Sequence, residues 1–309
     1  MLDHVGIERD ATGTGPEMTA PPHNAQGAPD WAQLGIVPGV ALRAFGMRRS
    51  GNHAIAAWIM RNAPSGHSVF LNNCTPGKSP LDSFASIEVD GEKQAVRRAL
   101  DNLPGETADL GNGALLLVSY EDLSPADFGV KRQVSGNFDV RLFDNDLLIY
   151  RSFLNWSASL IKKLQSNPGY GPMRRAAIML NTADRYARML ELVGKAPGNG
   201  MVPICYDWWF MDGAYREGVL GQLGLPVKDN TIGSVQSYGG GSSFQKNAAA
   251  PEDLQTGDRW RQMANDPDFR AFLGIAAREL DLMAQVDAHF PEDAARLSQG
   301  DLVTSVSEG

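Results

Sequence analysis

One short segment of the chain groups residues able to hold an anion: Phe45-Gly46-Met47-Arg48-Arg49-Ser50-Gly51-Asn52-His53. An apolar run, residues 40–45, precedes it, and a helical pattern, residues 54–62, follows. At such a junction the first backbone N–H groups of the helix lack intrahelical partners, and the helix dipole favours negative charge beside them. Gly46 and Gly51 permit tight turning and close approach of backbone to a phosphate. Arg49, with Arg48 before it, supplies charge-assisted hydrogen bonds, and Ser50, Asn52 and His53 add side-chain donors. Arg49 is the residue expected to meet charge building on a leaving phosphate. Asn52 and His53 stand where magnesium-dependent G-x-x-x-x-G-K-[ST] loops carry lysine and a hydroxyl, so no metal is expected in the chemistry.

Positioning such a loop needs a sheet. Short apolar runs at residues 40–45, 68–71, 114–118, 146–150 and 202–206 read as strands. Helical patterns cover residues 54–62, 92–103, about 153–165, 172–194, 215–223 and 266–289. The alternation predicts an α/β fold, a central parallel sheet flanked by helices on both faces, with a P-loop-type phosphate-binding strand–loop–helix. Residues 1–30 read as a flexible leader, 31–290 as a single domain and 291–309 as a loose tail.

The loop resembles the 5′-phosphosulfate loop of the PAPS-dependent sulfotransferases, G-x-P-[KR]-S-G-T-[TS]. Gly46, Arg49, Ser50 and Gly51 fall on its fixed positions, while Met47-Arg48, Asn52 and His53 depart from it. That family also carries an arginine closing a strand and a serine eight residues on, which hold a 3′-phosphate. Arg151 and Ser159 match, with Ser157 a weaker competitor and Phe153 in place of the family's proline. The resemblance spans about residues 40–245. It implies transfer of a sulfuryl group from 3′-phosphoadenosine 5′-phosphosulfate (PAPS), leaving 3′-phosphoadenosine 5′-phosphate (PAP), to a small-molecule or glycan acceptor.

It further implies a base just after a central strand, which is Glu121, with Asp122 as runner-up and His53 as the other candidate. Ile204-Cys205-Tyr206-Asp207 looks like the passage that brings a tyrosine near the adenine, so Tyr206 is added to the donor site; a core tyrosine is the plain alternative. Residues 237–244 sit where the family has an R-K-G loop, so Ser242 and Ser243, with Lys246 nearby, are expected to serve the 3′-phosphate. Arg174, Arg175, Arg185 and Arg188 read as a solvated helix face. Trp208-Trp209-Phe210 is a candidate wall for an aromatic acceptor pocket, with core as the plainer reading.

Composition narrows the rest. The net charge of −8 gives no basic face for nucleic acid, and no apolar run reaches the ~18 residues of a membrane helix. Two cysteines, Cys74 and Cys205, in no metal-ligand spacing read as reduced thiols. The opening MLDHVGIERD lacks an apolar signal core, so a cytoplasmic setting is expected. A homodimer is compatible with all of this. The alternatives are another P-loop enzyme such as a small-molecule kinase, or a non-catalytic nucleotide-binding protein.

Overall fold

The computed structural model describes residues 31, 34–96, 107–128, 133–135, 138–139, 142–233 and 257–299. The strands are β1 (Val40–Gly46), β2 (Ser68–Asn72), β3 (Ser86–Val89), β4 (Glu92–Val96), β5 (Leu115–Glu121), β6 (Gln133–Ser135), β7 (Phe138–Asp139), β8 (Asn145–Tyr150) and β9 (Met201–Cys205). Seven of them form one sheet in the order β4-β3-β2-β5-β1-β8-β9, while β6 and β7 pair separately. β2, β5, β1, β8 and β9 run parallel, and β3 and β4 add an antiparallel edge. Pro203 is tolerated in β9 because that strand lies at the sheet's outer edge.

The parallel strands read as continuous apolar runs because both of their faces are buried. Along β5, Leu116, Val118 and Tyr120 enter one core layer, whereas Leu115 and Leu117 enter the other. The second layer is built with α1 (Asn52–Arg61), α5 (Tyr206–Met211) and α6 (Gly213–Gln222), around Trp58 and Trp209. The first takes α3 (Phe153–Gln165), α4 (Pro172–Lys195), α7 (Arg259–Met263), α8 (Pro267–Ala276), α9 (Leu280–His289) and α10 (Pro291–Gln299). A short helix, α2 (Pro80–Ser83), precedes β3. The architecture is thus α/β, a mostly parallel sheet with helices on both faces.

Three local expectations are corrected. The helix read over 92–103 begins instead as strand β4, since Glu92 pairs with Val89 and Ala95 with Ile87; residues 97–103 lie outside the described residues. The single helix over 266–289 is two, because the chain tightens at its middle, where Arg278 N donates to Ile275 O and Glu279 N to Ala276 O. The stretch read as a loose tail from 291 starts with α10, whose Ala294 and Leu297 are buried in the core. No helix among the described residues is long and apolar enough to cross a membrane.

Candidate functional site

Strand register decides which residues meet. Gly46 pairs with Glu121 on one side and with Ile149 on the other. Neighbouring strands lie ~4.8 Å apart, so the loop after β1, Glu121 and the segment from Ile149 to Arg151 emerge side by side. This is the carboxyl edge of the parallel strands, where open α/β sheets bind ligands.

The loop is held from beneath. Asp122 accepts from the Arg48 backbone N–H at 2.8 Å and also pairs with the Arg48 guanidinium. Asp122 in turn donates its own N–H to Gly46 O at 3.0 Å, and Arg185 donates to Asp122 O at 2.9 Å. Trp156 Nε1 donates to Arg48 O at 3.1 Å, tying the loop to α3. The turn closes with Ser50 N donating to Met47 O at 3.1 Å. One glycine is obligatory here and a second is closely packed. A Cβ on Gly46 would stand 2.1 Å from Asn52 Oδ1, and one on Gly51, whose φ is +86°, would strike the Tyr206 ring at 2.0 Å. Arg49 itself sits at φ 72°, a conformation non-glycine residues rarely adopt and one that is kept only where the surroundings enforce it.

The two helix starts at this edge differ. At α3, Asp207 accepts from Ser152 N at 2.7 Å and Asp293 from Leu154 N at 3.0 Å, so protein carboxylates already occupy those donors. At α1 the cap is Gly51, and no side chain caps the helix. Ser50 Oγ beside it is fully buried with no hydrogen-bond partner among the described residues. At the start of α1, Ala54 N and Ile55 N both donate to Gly51 O, at 3.0 and 3.1 Å, so the first turn is closed by backbone alone.

Two arginines meet behind the loop. Arg151, 1% exposed, donates to Ser159 Oγ at 3.4 Å, pairs with Asp207 at 3.4 Å and lies with its guanidinium carbon 4.9 Å from the Tyr206 ring centre. Arg259 of α7, 6% exposed, donates to the same Ser159 Oγ at 3.1 Å. Its main-chain N–H is held by Asn155 Oδ1 at 3.0 Å. Burial first, and then the positive charges of Arg151 and Arg49, lower the pKa of Arg259 to about 9, with Tyr206 and Asp207 opposing. The pKa of Arg49 is depressed by burial first and by Arg151 next, with Glu121 and Tyr206 opposing.

In front of the loop lies a cleft of about 380 Å³. Arg48, Arg49, Asn52, His53, Glu121 and Lys163 line it toward the loop. Glu121 reaches solvent there, yet the protein around it raises its carboxyl above the usual 4.5; burial is the main cause and Asp122 the second, while Arg48 and Arg49 work the other way.

Of the residues singled out in the sequence, Arg48, Arg49, Asn52, His53 and Glu121 meet in this cleft. Ser50, Gly51, Arg151, Ser159 and Tyr206 stand in the shell behind it, with Tyr206 packed between Gly51 and Arg151. Ser157 turns away and donates to Phe153 O at 2.7 Å. Asp122 is locked under the loop by Arg48. Ser242, Ser243 and Lys246 lie outside the described residues. The arginines read as a solvated face divide: Arg188 makes an exposed pair with Asp184, whereas Arg175 binds Asp268 and Arg185 braces Asp122. Arg259 was missed. It sits in no motif, and only the return of α7 onto α3 brings it to Ser159. Among the described residues, no three His, Cys, Asp or Glu side chains gather as a metal cage.

A family model described as strictosidine synthase-like, N-terminal, matches residues 278–309. No curated protein and no solved structure matches the chain. The expectation of a PAPS-dependent sulfotransferase is therefore corrected: the family matched is a different one, and the activity and enzyme class drawn from that resemblance go with it. The match is short. It falls on α9, α10 and the residues after them, and none of the residues lining the cleft belongs to it.

Proposed function

We propose that the cleft at the carboxyl edge of the sheet, together with the arginine shell behind its loop, binds a small ligand with two anionic groups of the phosphate type. In this reading the strand–loop–helix from Gly46 to His53 cradles the first group. Backbone N–H groups at the start of α1, Ser50 Oγ and Arg49 are its donors. Arg151 and Arg259, in the shell behind the loop with Tyr206 beside Arg151, are the donors for the second group, while Ser159 Oγ positions them, its own proton being given to Asn155 O at 2.7 Å. Glu121 accepts a hydrogen bond, or a proton, from a ligand hydroxyl beside the first group.

The observation that carries the reading is geometric: Arg48, Arg49, Asn52, His53 and Lys163 meet in one cleft at the carboxyl edge of the sheet, and Ser50 Oγ beside them is fully buried with no hydrogen-bond partner among the described residues. Arg49 and Lys163 bring positive charge to that cleft, and a guanidinium keeps its charge in proteins and suits a phosphate. In a chain of net charge −8, general electrostatics would not assemble such a cluster.

The test is calorimetric titration with pyrophosphate and with a nucleoside 3′,5′-bisphosphate, beside thermal unfolding with each. Both compounds are expected to bind and to raise the unfolding temperature. Arg49→Ala should weaken both by at least ~10-fold, about the value of one charged hydrogen bond. Arg151→Ala should weaken the bisphosphate more than pyrophosphate. Absence of heat and of any thermal shift at millimolar ligand would overturn the proposal.

A further inference from the structure

The far half of the cleft has a different chemistry from the half beside the loop. Asn72 and Asn73 at the end of β2, Ser86 at the start of β3 and Ser119 in β5 line it, with Phe70 as its apolar wall. Sheet order brings them together, since β2 lies between β3 and β5. Glu121 stands between this half and the arginines, two residues along β5 from Ser119 and so on the same face of the sheet.

These side chains hold one another loosely. Asn73 N donates to Ser119 Oγ at 2.8 Å. Ser119 Oγ donates to Asn72 Oδ1 at 3.3 Å, and Asn72 Nδ2 donates to Ser86 Oγ at 3.3 Å. The last two bonds lie at the long end of hydrogen-bond geometry. Valence leaves capacity over: a second N–H and a carbonyl lone pair on Asn72, a lone pair on Ser119, and the hydroxyl proton of Ser86. Donors and acceptors thus alternate over neighbouring positions, with no charge among the four.

A ligand group answering this pattern must donate and accept at adjacent atoms and carry no charge. Vicinal hydroxyls do so, because each rotates to serve either role. An ammonium only donates and a carboxylate only accepts, so each would leave half of the set unanswered. The apolar face of a sugar or cyclitol ring also suits Phe70.

We infer that this half of the cleft binds a polyhydroxylated ring, a sugar or cyclitol, with one hydroxyl turned to Glu121. The inference rests on the anion site proposed above. The ring belongs either to the phosphorylated ligand itself or to a second molecule seated beside it, and the chemistry of the pocket is the same in both cases.

Calorimetry on the full chain separates the outcomes. The probes are pyrophosphate, a hexose 1-phosphate, butyl phosphate and free hexose added with pyrophosphate. The hexose phosphate, or free hexose beside pyrophosphate, should bind at least ~10-fold tighter than the matching compound without hydroxyls. Asn72→Ala and Ser119→Ala should each remove most of that gain while leaving pyrophosphate affinity within about twofold. A gain in the hexose phosphate assigns the ring to the same ligand, and a gain only for free hexose assigns it to a second molecule. If pyrophosphate binds but hexose phosphate and butyl phosphate bind alike, and free hexose binds not at all, the inference fails and the anion site stands. If no phosphate compound binds, both fail.

Discussion

Glu121 faces two opposed demands. It lies among groups that favour its charge, Arg48 and Arg49, and under protein that disfavours it, and burial wins. Its ionisation places a negative charge beside the loop that is proposed to hold an anion, so the two compete. Sulfate tests this well because it stays doubly charged from weakly acid to neutral pH. Sulfate affinity should rise as pH falls through the raised titration range of Glu121, since the protonated carboxyl no longer repels it. Glu121→Gln should bind sulfate at neutral pH as tightly as the native protein does in acid, with the pH slope flattened. An unchanged slope in the variant, read by calorimetry across that range, would remove Glu121 from the site.

At the scale of elements, α10 reaches across to the start of α3, which carries Asn155 and Ser159 of the arginine site. Asp293 accepts from Leu154 N at 3.0 Å, as an anion at a helix start should. Burial nevertheless raises its carboxyl from 3.8 to about 6, Asp207 adds to the rise, and the Leu154 and Phe153 N–H groups and Arg296 only partly oppose it. The sign follows from proton binding: between pH 4 and 6 the folded protein holds the proton and the unfolded chain does not. Stability therefore falls as pH rises through that window, by about 3 kcal/mol at the outside, and is level above it. Asp293→Asn keeps an acceptor for Leu154 N and has no charge to bury. Its urea midpoint should fall less than the native value does from pH 4 to 6 and exceed the native value at pH 7. A variant less stable than the native protein at pH 7 would mean that the cap outweighs the burial.

The same elements mark how far the sequence could be read. The strand cores at 40–45, 114–118 and 146–150 were legible because a strand buried on both faces is continuously apolar. The Gly46–His53 turn was legible because glycines bracket its basic residues between a strand and a helix, and Gly51 at φ +86° has no substitute. The segment Glu92–Val96 was not, since its residues suit a helix and only the edge of β3 makes it a strand. Arg259 was not, because its neighbour Ser159 lies a hundred residues away and no spacing rule links them. Glu121 entered through a resemblance that the family comparison does not support, and its position now rests on register with Gly46.

For the whole molecule, size and architecture point in opposite directions. A chain of 309 residues exceeds the range in which single-step unfolding is the rule. Yet the two core layers share one sheet: neighbouring residues of β5, Leu116 and Leu117, are both fully buried and face opposite layers. Neither layer can lose its packing while the strand between them stays in place. Leu116→Ala and Leu117→Ala should therefore lower the same transition, each by about 2–5 kcal/mol, although they open cavities in different layers. Trp156 reports the first layer and Trp58 and Trp209 the second, so versions keeping tryptophan in one layer only give separate probes. Their urea curves should coincide with each other and with far-UV circular dichroism, and pyrophosphate should shift all of them together. Curves that separate would show that the layers unfold independently. In that case a ligand held by α1 and Arg49 would protect the layer containing Trp58, and Trp156 would report no shift.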